Sequence, residues 1–237
     1  MPVIIKPPRT WDDDLIKAAK FVVRANSVMI DLEGVDVIDN KHLMRVMWDR
    51  YVNGLGALVI GHAGRVGSGI DVPTYLKVTG VGEVSNAVNE LVRGGVSRFS
   101  GVIIDVGDDH PEAILVRLDL ELRRRGGVRD YVDLIIHMPS VRSSGDIVKL
   151  VALGADAVII SGFVERALHG YESIEDFRLR LMRFLTGIKR EIAQLLGAAG
   201  IYSLQSIIGN RELLRALSGR VRDMLMVKLA GEDVLYR

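Results

Sequence analysis

One segment of this chain, Val132 to Gly162, limits most strongly the fold that it can adopt. An apolar run ends in a loop of small polar residues, an amphipathic stretch follows, and a second apolar run ends in Ser161-Gly162. This order predicts strand, loop, helix and strand, the repeating unit of parallel α/β proteins. Amides at a helix N-terminus attract anions, and two such loops late in a (β/α)8 barrel form a phosphate site. The alternative is that any such unit requires small residues at its turns.

The rest of the chain repeats this alternation. The apolar runs that predict strands are Val3–Ile5, Ser27–Leu32, Ala57–Gly61, Thr74–Val78, Val102–Val106, Leu134–His137 and Ala157–Ile160. Segments with apolar residues at helical spacing lie between them: Asp12–Arg24, His42–Tyr51, Val84–Arg93 and Pro111–Arg125. We therefore predict an α/β fold, a (β/α)8 TIM-type barrel that is either complete or one strand short.

From Ile174 onward the pattern becomes entirely helical. The apolar face of the first tail helix is Phe177, Leu181, Phe184, Ile188, Ile192 and Leu195. A shorter helix is predicted over Arg211–Leu217. We therefore expect a barrel over residues 1–172 and a helical C-terminal extension, packed on the barrel, over residues 173–237. The many apolar residues of this tail also predict a homo-oligomer.

Composition excludes several classes of function. The net charge of +1 gives no electrostatic case for binding nucleic acid or an anionic membrane. No apolar run approaches the ~20 residues of a membrane helix, and the N-terminus shows no signal peptide, so we expect a cytoplasmic protein. Cysteine is absent, which removes disulfides, thiolate metal ligands and a cysteine nucleophile. Abundant ion-pairing residues weakly favour a thermophilic source.

The sequence of the segment from Val132 to Gly162 resembles that of a known family. Val141-Arg142-Ser143 and Asp146, followed by Leu153–Val158, are similar to the last two strands of FMN-dependent barrels, above all the flavin domain of glutamate synthase. IMP dehydrogenase and type 2 isopentenyl-diphosphate isomerase share this pattern. The family has Gly-Gly where this chain has Pro139-Ser140, and proline offers no N–H to a phosphate. The missing cysteines also exclude IMP dehydrogenase chemistry and an iron–sulfur cluster.

The resemblance implies a role for Lys77. It lies near the end of the strand Thr74–Val78 and precedes Gly80-Val81-Gly82. In the flavin families a lysine in this setting lies near the N1 and O2 edge of the flavin, where a cation stabilises the anionic reduced ring. The resemblance therefore implies that Lys77 is a catalytic and FMN-binding residue. The alternative is a lysine that extends from the strand end to solvent.

The resemblance also implies an anion site for the FMN phosphate, or for another phosphate-bearing small molecule. The residues expected to line it are Ser140, Arg142, Ser143, Ser144, Gly145, Ser161 and Gly162. This site would be built chiefly from backbone amides at the start of the helix near Ser144 and at the Ser161-Gly162 turn.

Two further polar segments are interpreted as structural. In the family the strand ending at Asp105 leads into a glycine-rich loop that encloses the flavin, whereas this chain has the short Gly107–Pro111. Asp105, Asp108, Asp109 and His110 could bind a divalent cation, but a helix start with Asp109 as N-cap and Pro111 in first position is favoured, so we expect no metal. The glycine-rich segment Gly61–Gly69 is interpreted as a lid or connection, and His137 as a structural strand-end histidine.

Two hypotheses of different class remain. The first is a flavin-dependent oxidoreductase with a compact FMN barrel, and it rests on Lys77, Arg142–Asp146 and Ser161-Gly162. The second is a degenerate barrel that has lost FMN and serves as a binding or assembly protein. It rests on Pro139-Ser140 and on the lost loop after Asp105.

Overall fold

Parallel strands form the central sheet. The computed structural model describes residues 3–5, 12, 14–15, 17–19, 22, 29–30, 58–59, 74–94, 99–107, 110–125 and 127–232. The strands of the central sheet are β1 (Val3–Ile5), β2 (Met29–Ile30), β3 (Leu58–Val59), β4 (Thr74–Val78), β5 (Gly101–Ile104), β6 (Asp133–His137) and β7 (Ala157–Ile160). All seven predicted strands are therefore confirmed. The bounds of β1, β4 and β7 are as predicted, β5 and β6 each begin one residue earlier, and β2 and β3 lie within their predicted segments.

The strand order is that of a barrel. Every pair is parallel, and the order is β2-β1-β7-β6-β5-β4-β3. Each strand from β3 to β7 lies beside its sequence neighbour, and β7 returns to pair with β1, as barrel closure requires. Among the described residues no pair joins β2 to β3. The predicted α/β fold, a TIM-type barrel, is confirmed.

Alternation along the strands separates two apolar layers. Tyr75, Ile103, Ile135, Ala157 and Ile159 form a small cluster of their own, inside the barrel. The residues of the opposite parity, such as Val102, Ile104, Leu134, Ile136, Val158 and Ile160, belong to the large core between strands and helices. Because side chains alternate with period two, each strand's next residue of inner parity lies at the barrel mouth.

The helices cover the sheet much as predicted. The described residues between 14 and 22 are helical (α1), and α2 (Val84–Gly94), α3 (Pro111–Arg124), α4 (Ser144–Leu153) and α5 (Gly162–Leu168) follow. Pro111 opens α3 as expected, but the N-cap is His110, in the left-handed region at φ 52°, and not Asp109. The segments His42–Tyr51 and Gly61–Gly69 and residues Asp108 and Asp109 lie outside the described residues.

The C-terminal tail differs from its prediction in one part. Helix α6 (Ile174–Ala198) is confirmed, although it buries Leu196 and leaves Leu195 exposed. The helix predicted over Arg211–Leu217 is wrong. That segment is a 3-10 turn and a short strand, β8 (Arg215–Ala216), which pairs in parallel with β9 (Lys228–Leu229) across helix α7 (Gly219–Leu225).

The physical reason lies in two contacts. The Arg211 guanidinium is drawn inward to the carboxylate of Asp119, at 2.6 Å, which fixes the 3-10 turn. The Ser218 hydroxyl then accepts from Val221 N–H and starts a separate helix. In the part of the chain that the structure describes, no helix is long and apolar enough to cross a membrane.

A buried polar network lies at the amino ends of β6 and β7. Asp119, with a fully buried side chain, accepts from Arg129 Nε at 2.8 Å, Arg123 Nε at 3.1 Å and Arg211. Arg129 also donates to the Val132 and Gly154 carbonyls and contacts the Asp156 carboxylate at 2.8 Å. We call Asp119, Arg123, Arg129, Asp156 and Arg211 the amino-end network. It ties helix α3 and the tail to the base of the sheet.

Candidate functional site

Four polar side chains lie at the carboxyl ends of four consecutive strands. Lys77 is on β4, Asp105 and Ser161 directly follow β5 and β7, and His137 ends β6. Each has the same parity as the inner apolar residue two positions before it: Tyr75, Ile103, Ile135 and Ile159. The side chains therefore converge above the inner layer, at the end of the barrel where this fold places its chemistry. We call Lys77, Asp105, His137 and Ser161 the mouth cluster.

Hydrogen bonds join the mouth cluster into one chain. The Lys77 ammonium lies 2.9 Å from Asp105 Oδ2. The other oxygen, Asp105 Oδ1, lies 2.6 Å from His137 Nδ1, and His137 Nε2 lies 3.0 Å from Ser161 Oγ. The Lys77–Asp105 and His137–Ser161 distances are within the normal hydrogen-bonding range, and the His137–Asp105 distance is slightly shorter than the ~2.7 Å lower end of that range.

The Asp105 carboxylate determines the tautomer of His137. An ionised carboxylate only accepts hydrogen bonds, so Nδ1 of a neutral imidazole must carry the proton. The lone pair is then on Nε2, which accepts from the Ser161 hydroxyl. His137 is only 8% exposed, whereas Ser161 is half-buried. The mouth cluster therefore presents a hydroxyl at its accessible end and holds a basic nitrogen behind it.

The two loops expected to form the phosphate site do meet. A Cβ placed on Gly162 would lie 3.0 Å from the Pro139 carbonyl oxygen and 3.3 Å from Arg166 Nη1. Arg166 Nη2 donates to the Val141 carbonyl at 2.8 Å and so joins α5 to the loop after β6. A Cβ at position 162 would require its neighbours to shift by a few tenths of an ångström, which favours glycine without invoking a ligand.

The amides at the start of α4 are largely occupied by the chain itself. Ser143 and Asp146 form a capping box, in which Ser143 Oγ accepts from Asp146 N–H. Asp146 Oδ2 in turn accepts from the backbone N–H groups of Arg142 and Ser143, at 3.1 and 3.2 Å. Burial alone would raise the pKa of Asp146, but these bonds and the Lys149 ammonium outweigh it and hold the pKa below its ordinary value. Arg142 and Ser143 amides are therefore not available to a phosphate in this conformation.

The predicted site residues do not all lie together. Lys77, Ser161 and Gly162 lie at the mouth, whereas Ser143, Ser144 and Gly145 form the start of α4. Ser144 is buried, and its hydroxyl donates to the Glu191 carboxylate on α6. The Ser140 and Arg142 side chains face outward. They border a cavity of about 610 Å³ between α4 and the β8–α7–β9 unit, with an apolar lining that includes Leu150, Leu214 and Leu225.

Two residues of the mouth cluster are not among the predicted site residues. The sequence pattern indicates an acidic turn for Asp105 and a structural role for His137. Parity is the signal that identifies them: each lies two positions after an inner apolar residue, Ile103 or Ile135, at the end of its strand. The capping role of Ser143 and Asp146 also has a sequence signal, because Ser-x-x-Asp is the spacing of a capping box.

Comparison with known proteins agrees with this architecture. The chain is 31% identical over 199 residues to an archaeal-type glutamate synthase [NADPH] of Dehalococcoides mccartyi, covering 68% of this chain and 39% of that protein. It is 29% identical over 198 residues to the archaeal glutamate synthase [NADPH] of Methanocaldococcus jannaschii, covering 68% and 38%. The chain thus spans about two fifths of the length of the curated relatives it matches. No family model matches it.

Solved structures share the fold at low sequence identity. A mandelate oxidase aligns with a TM-score of 0.59 and 16% identity, over 88% of this chain and 78% of that one. A second mandelate oxidase structure, with benzoyl-formic acid, also aligns with a TM-score of 0.59. The chain is a TIM-type barrel of the kind found in these oxidases. The resemblance to the glutamate synthase family is confirmed, and over about two thirds of its length the chain is a relative of the archaeal-type glutamate synthases.

Proposed function

We propose that this chain binds FMN at the barrel mouth as a flavin-dependent oxidoreductase of glutamate synthase type. The observation that carries the proposal is the inward position of Lys77 at the end of β4, beside the other three residues of the mouth cluster. The similarity to glutamate synthases supports it. Bound FMN would supply hydride or electron transfer at its ring.

The residues present fit the ring end of FMN. Lys77 contacts Asp105, and its ammonium places a positive charge at the mouth. Its charge would favour the anionic, reduced form of a flavin whose pyrimidine side it held. Gly80 and Gly82, just after β4, have open space where a Cβ would stand, so the backbone there leaves room for a planar ring.

The phosphate end fits with fewer donors than the family motif provides. With the Arg142 and Ser143 amides bonded to Asp146 and no N–H at Pro139, the remaining candidates are the amides of Ser140, Ser144, Gly145 and Gly162. None of these four has an acceptor in the part of the chain that the structure describes. The Arg166 guanidinium, close to Gly162, adds a positive charge at this point.

Titration with FMN, followed by flavin fluorescence, tests the proposal. We expect saturable quenching with the natural chain and affinity about tenfold or more weaker for Lys77→Met, because a charge-assisted hydrogen bond contributes about 1.5–3 kcal/mol. Gly162→Asp should abolish binding, since its carboxylate meets the Pro139 carbonyl and repels phosphate. Gly187→Asp adds the same charge on α6, where nothing lies within 4 Å, and should bind normally.

A second candidate function is a degenerate barrel that has lost FMN and acts as a binding or assembly protein. The occupied amides at Arg142 and Ser143, together with Pro139, favour it. Absence of saturable binding at millimolar FMN, with a cooperative melting curve showing that the protein is folded, would support this candidate and contradict the first.

A further inference from the structure

Three residues of the mouth cluster, Asp105, His137 and Ser161, have a geometry that the proposed role of Lys77 in flavin binding does not use. Ser161 Oγ lies 3.0 Å from His137 Nε2, and His137 Nδ1 lies 2.6 Å from Asp105 Oδ1. A hydroxyl, an imidazole and a carboxylate in this order form the constellation of serine hydrolases, which is recognised by geometry and not by fold. We propose that Ser161 is a nucleophile activated by His137, and that the barrel mouth hydrolyses small carboxylic esters.

The backbone holds each member in its place. Ser161 stands at a sharp change of direction, where β7 ends and α5 begins at Gly162. His137 ends β6 and Asp105 directly follows β5. The pair Ile103–Ile135 fixes the register of β5 against β6, and the pair His137–Ile159 fixes that of β6 against β7. Because all three positions are set by one sheet, the hydrogen bonds do not depend on a mobile loop for their alignment.

Asp105 is a positioning residue in this arrangement. Its carboxylate binds Nδ1–H of His137 through one oxygen and the Lys77 ammonium through the other. Lys77 thereby limits rotation of the carboxylate, and the carboxylate limits rotation of the imidazole. The lone pair on Nε2 is kept directed at the Ser161 hydroxyl, as a general base requires.

A positive charge lies close to Gly162, the residue that follows the proposed nucleophile. Arg166 Nη1 would be 3.3 Å from a Cβ on Gly162, the residue next to Ser161. Arg166 is held there by its bond to the Val141 carbonyl and by the Phe163 ring, 6.0 Å from its guanidinium carbon. A guanidinium beside the nucleophile stabilises negative charge that develops on a carbonyl oxygen during attack.

The reaction balances with water as the only co-reactant. Ser161 Oγ forms a bond to the ester carbonyl carbon while its proton moves to His137 Nε2. The C–O bond to the alcohol breaks, and the departing oxygen takes that proton. Water, deprotonated by the same nitrogen, then attacks the acyl-serine, and Ser161 regains its proton as the carboxylic acid leaves.

Labelling with a fluorophosphonate provides the first test. Ser161 Oγ should displace fluoride from phosphorus, and peptide mass spectrometry should place the adduct on Ser161. His137→Gln should lower the labelling rate by about 10²- to 10⁴-fold, the usual contribution of a general base. Ser161→Ala should abolish labelling. Ser206→Ala, which removes an exposed tail hydroxyl bonded only within its own turn, is the matched control and should label as the natural chain does.

Turnover of p-nitrophenyl acetate provides the second test. Asp105→Asn should lower the rate of acylation with little change in melting temperature, a separation that a purely structural role would not produce. No adduct on Ser161, or labelling that is indifferent to His137→Gln in a folded variant, would overturn the proposal. Neither measurement needs FMN, so failure here is distinct from failure of the flavin titration.

Discussion

The two ends of the strands carry polar clusters of opposite character. The amino-end network places Asp119, fully buried, among three arginines and satisfies Arg129 with backbone carbonyls as well. The mouth cluster has one ammonium and one carboxylate, joined to the imidazole of His137 and to the hydroxyl of Ser161, which remains half-buried. The first cluster has each charge opposed within the fold, whereas the second leaves a reactive hydroxyl within reach of solvent.

This difference has a physical origin in how the strands are joined. At the amino ends, the 3-10 turn before β6 and the start of β7 bring backbone carbonyls inward, and a buried arginine satisfies them. At the carboxyl ends, the chain continues from the strands into loops and helix starts. This end of the barrel is therefore lined by side chains and not by backbone carbonyls. We therefore expect the amino end to determine stability and the mouth to determine binding and reactivity.

We expect the largest loss of folding stability from Asp119→Ala in the amino-end network. It leaves Arg129 buried without its main carboxylate partner, and loss of one partner of a buried pair costs about 3–5 kcal/mol. Urea unfolding measures this. Arg123→Ala removes a partner whose side chain is 45% exposed, and should cost no more than about 1 kcal/mol. Equal losses in the two variants would show that the network does not stabilise the fold through Arg129.

Asp119 and Asp156 of the amino-end network should contribute to stability with opposite dependence on pH. Burial alone would raise the pKa of Asp119, but Arg123, Arg129 and Arg211 hold it below its ordinary value. Its contribution is therefore present above about pH 3.9, the unfolded value, and lost as the pH falls through the folded pKa. For Asp156 burial raises the pKa in spite of Arg129, so its contribution has the opposite sign and is lost as the pH rises.

The measurement is the drop in urea midpoint between pH 7 and pH 3. Asp119→Asn should make this drop smaller than in the natural chain, and Asp156→Asn should make it larger. A drop that is unchanged by Asp119→Asn would contradict the assigned direction of its pKa.

The strands could be predicted from the sequence because they are covered on both faces. A continuous apolar run such as Ala157–Ile160, flanked by helical segments, is typical of a buried parallel strand. The β8–α7–β9 unit could not be predicted, since two-residue strands carry no periodicity. The turn that precedes β8 also depends on the contact between Arg211 and Asp119, which is 92 positions earlier in the chain. Long-range ion pairs of this kind leave no local pattern.

The candidate site was predictable in part for a similar reason. Lys77 precedes a glycine turn whose sequence resembles that of the flavin families, so the local sequence is enough to identify it as a candidate site residue. Asp105 and His137 act only through the register of β5 and β6, which brings them within 2.6 Å. At Arg142 and Ser143 the motif that suggests a phosphate site also forms a helix cap, and sequence alone does not separate the two roles.

Ser143→Ala tests whether the Ser143 hydroxyl serves as a helix cap or as an FMN ligand. Loss of the Ser143 hydroxyl from the capping box should cost about 1 kcal/mol, within the 0.5–2 kcal/mol usual for such caps. Affinity for FMN should not change, because the hydroxyl is committed to Asp146 N–H. Ser173→Ala removes the corresponding cap of α6 and is the matched control. Tenfold weaker FMN binding in Ser143→Ala alone would restore the ligand role.

We expect the smallest effect from Tyr75→Phe. Tyr75 belongs to the inner apolar layer, which lies between the two ends of the strands. Tyr75 has an inward side chain two positions before Lys77, yet its hydroxyl donates to Asp133 at the amino end of β6, at 2.9 Å. Burial first, and then the Asp133 carboxylate, raise the pKa of Tyr75 well above its ordinary value. Loss of this bond should cost about 0.5–1.5 kcal/mol in urea unfolding.

Alkaline titration of tyrosine absorbance gives an independent check of the same residue. Because the raised pKa keeps Tyr75 protonated, the rise in absorbance near pH 10 should come from the other tyrosines and be equal in the natural chain and in Tyr75→Phe. FMN affinity and the labelling rate of Ser161 should also be unchanged, since Tyr75 points away from the mouth. A smaller absorbance step near pH 10 in Tyr75→Phe would mean that its phenol is reached by solvent, and the inner layer would then not separate the two ends.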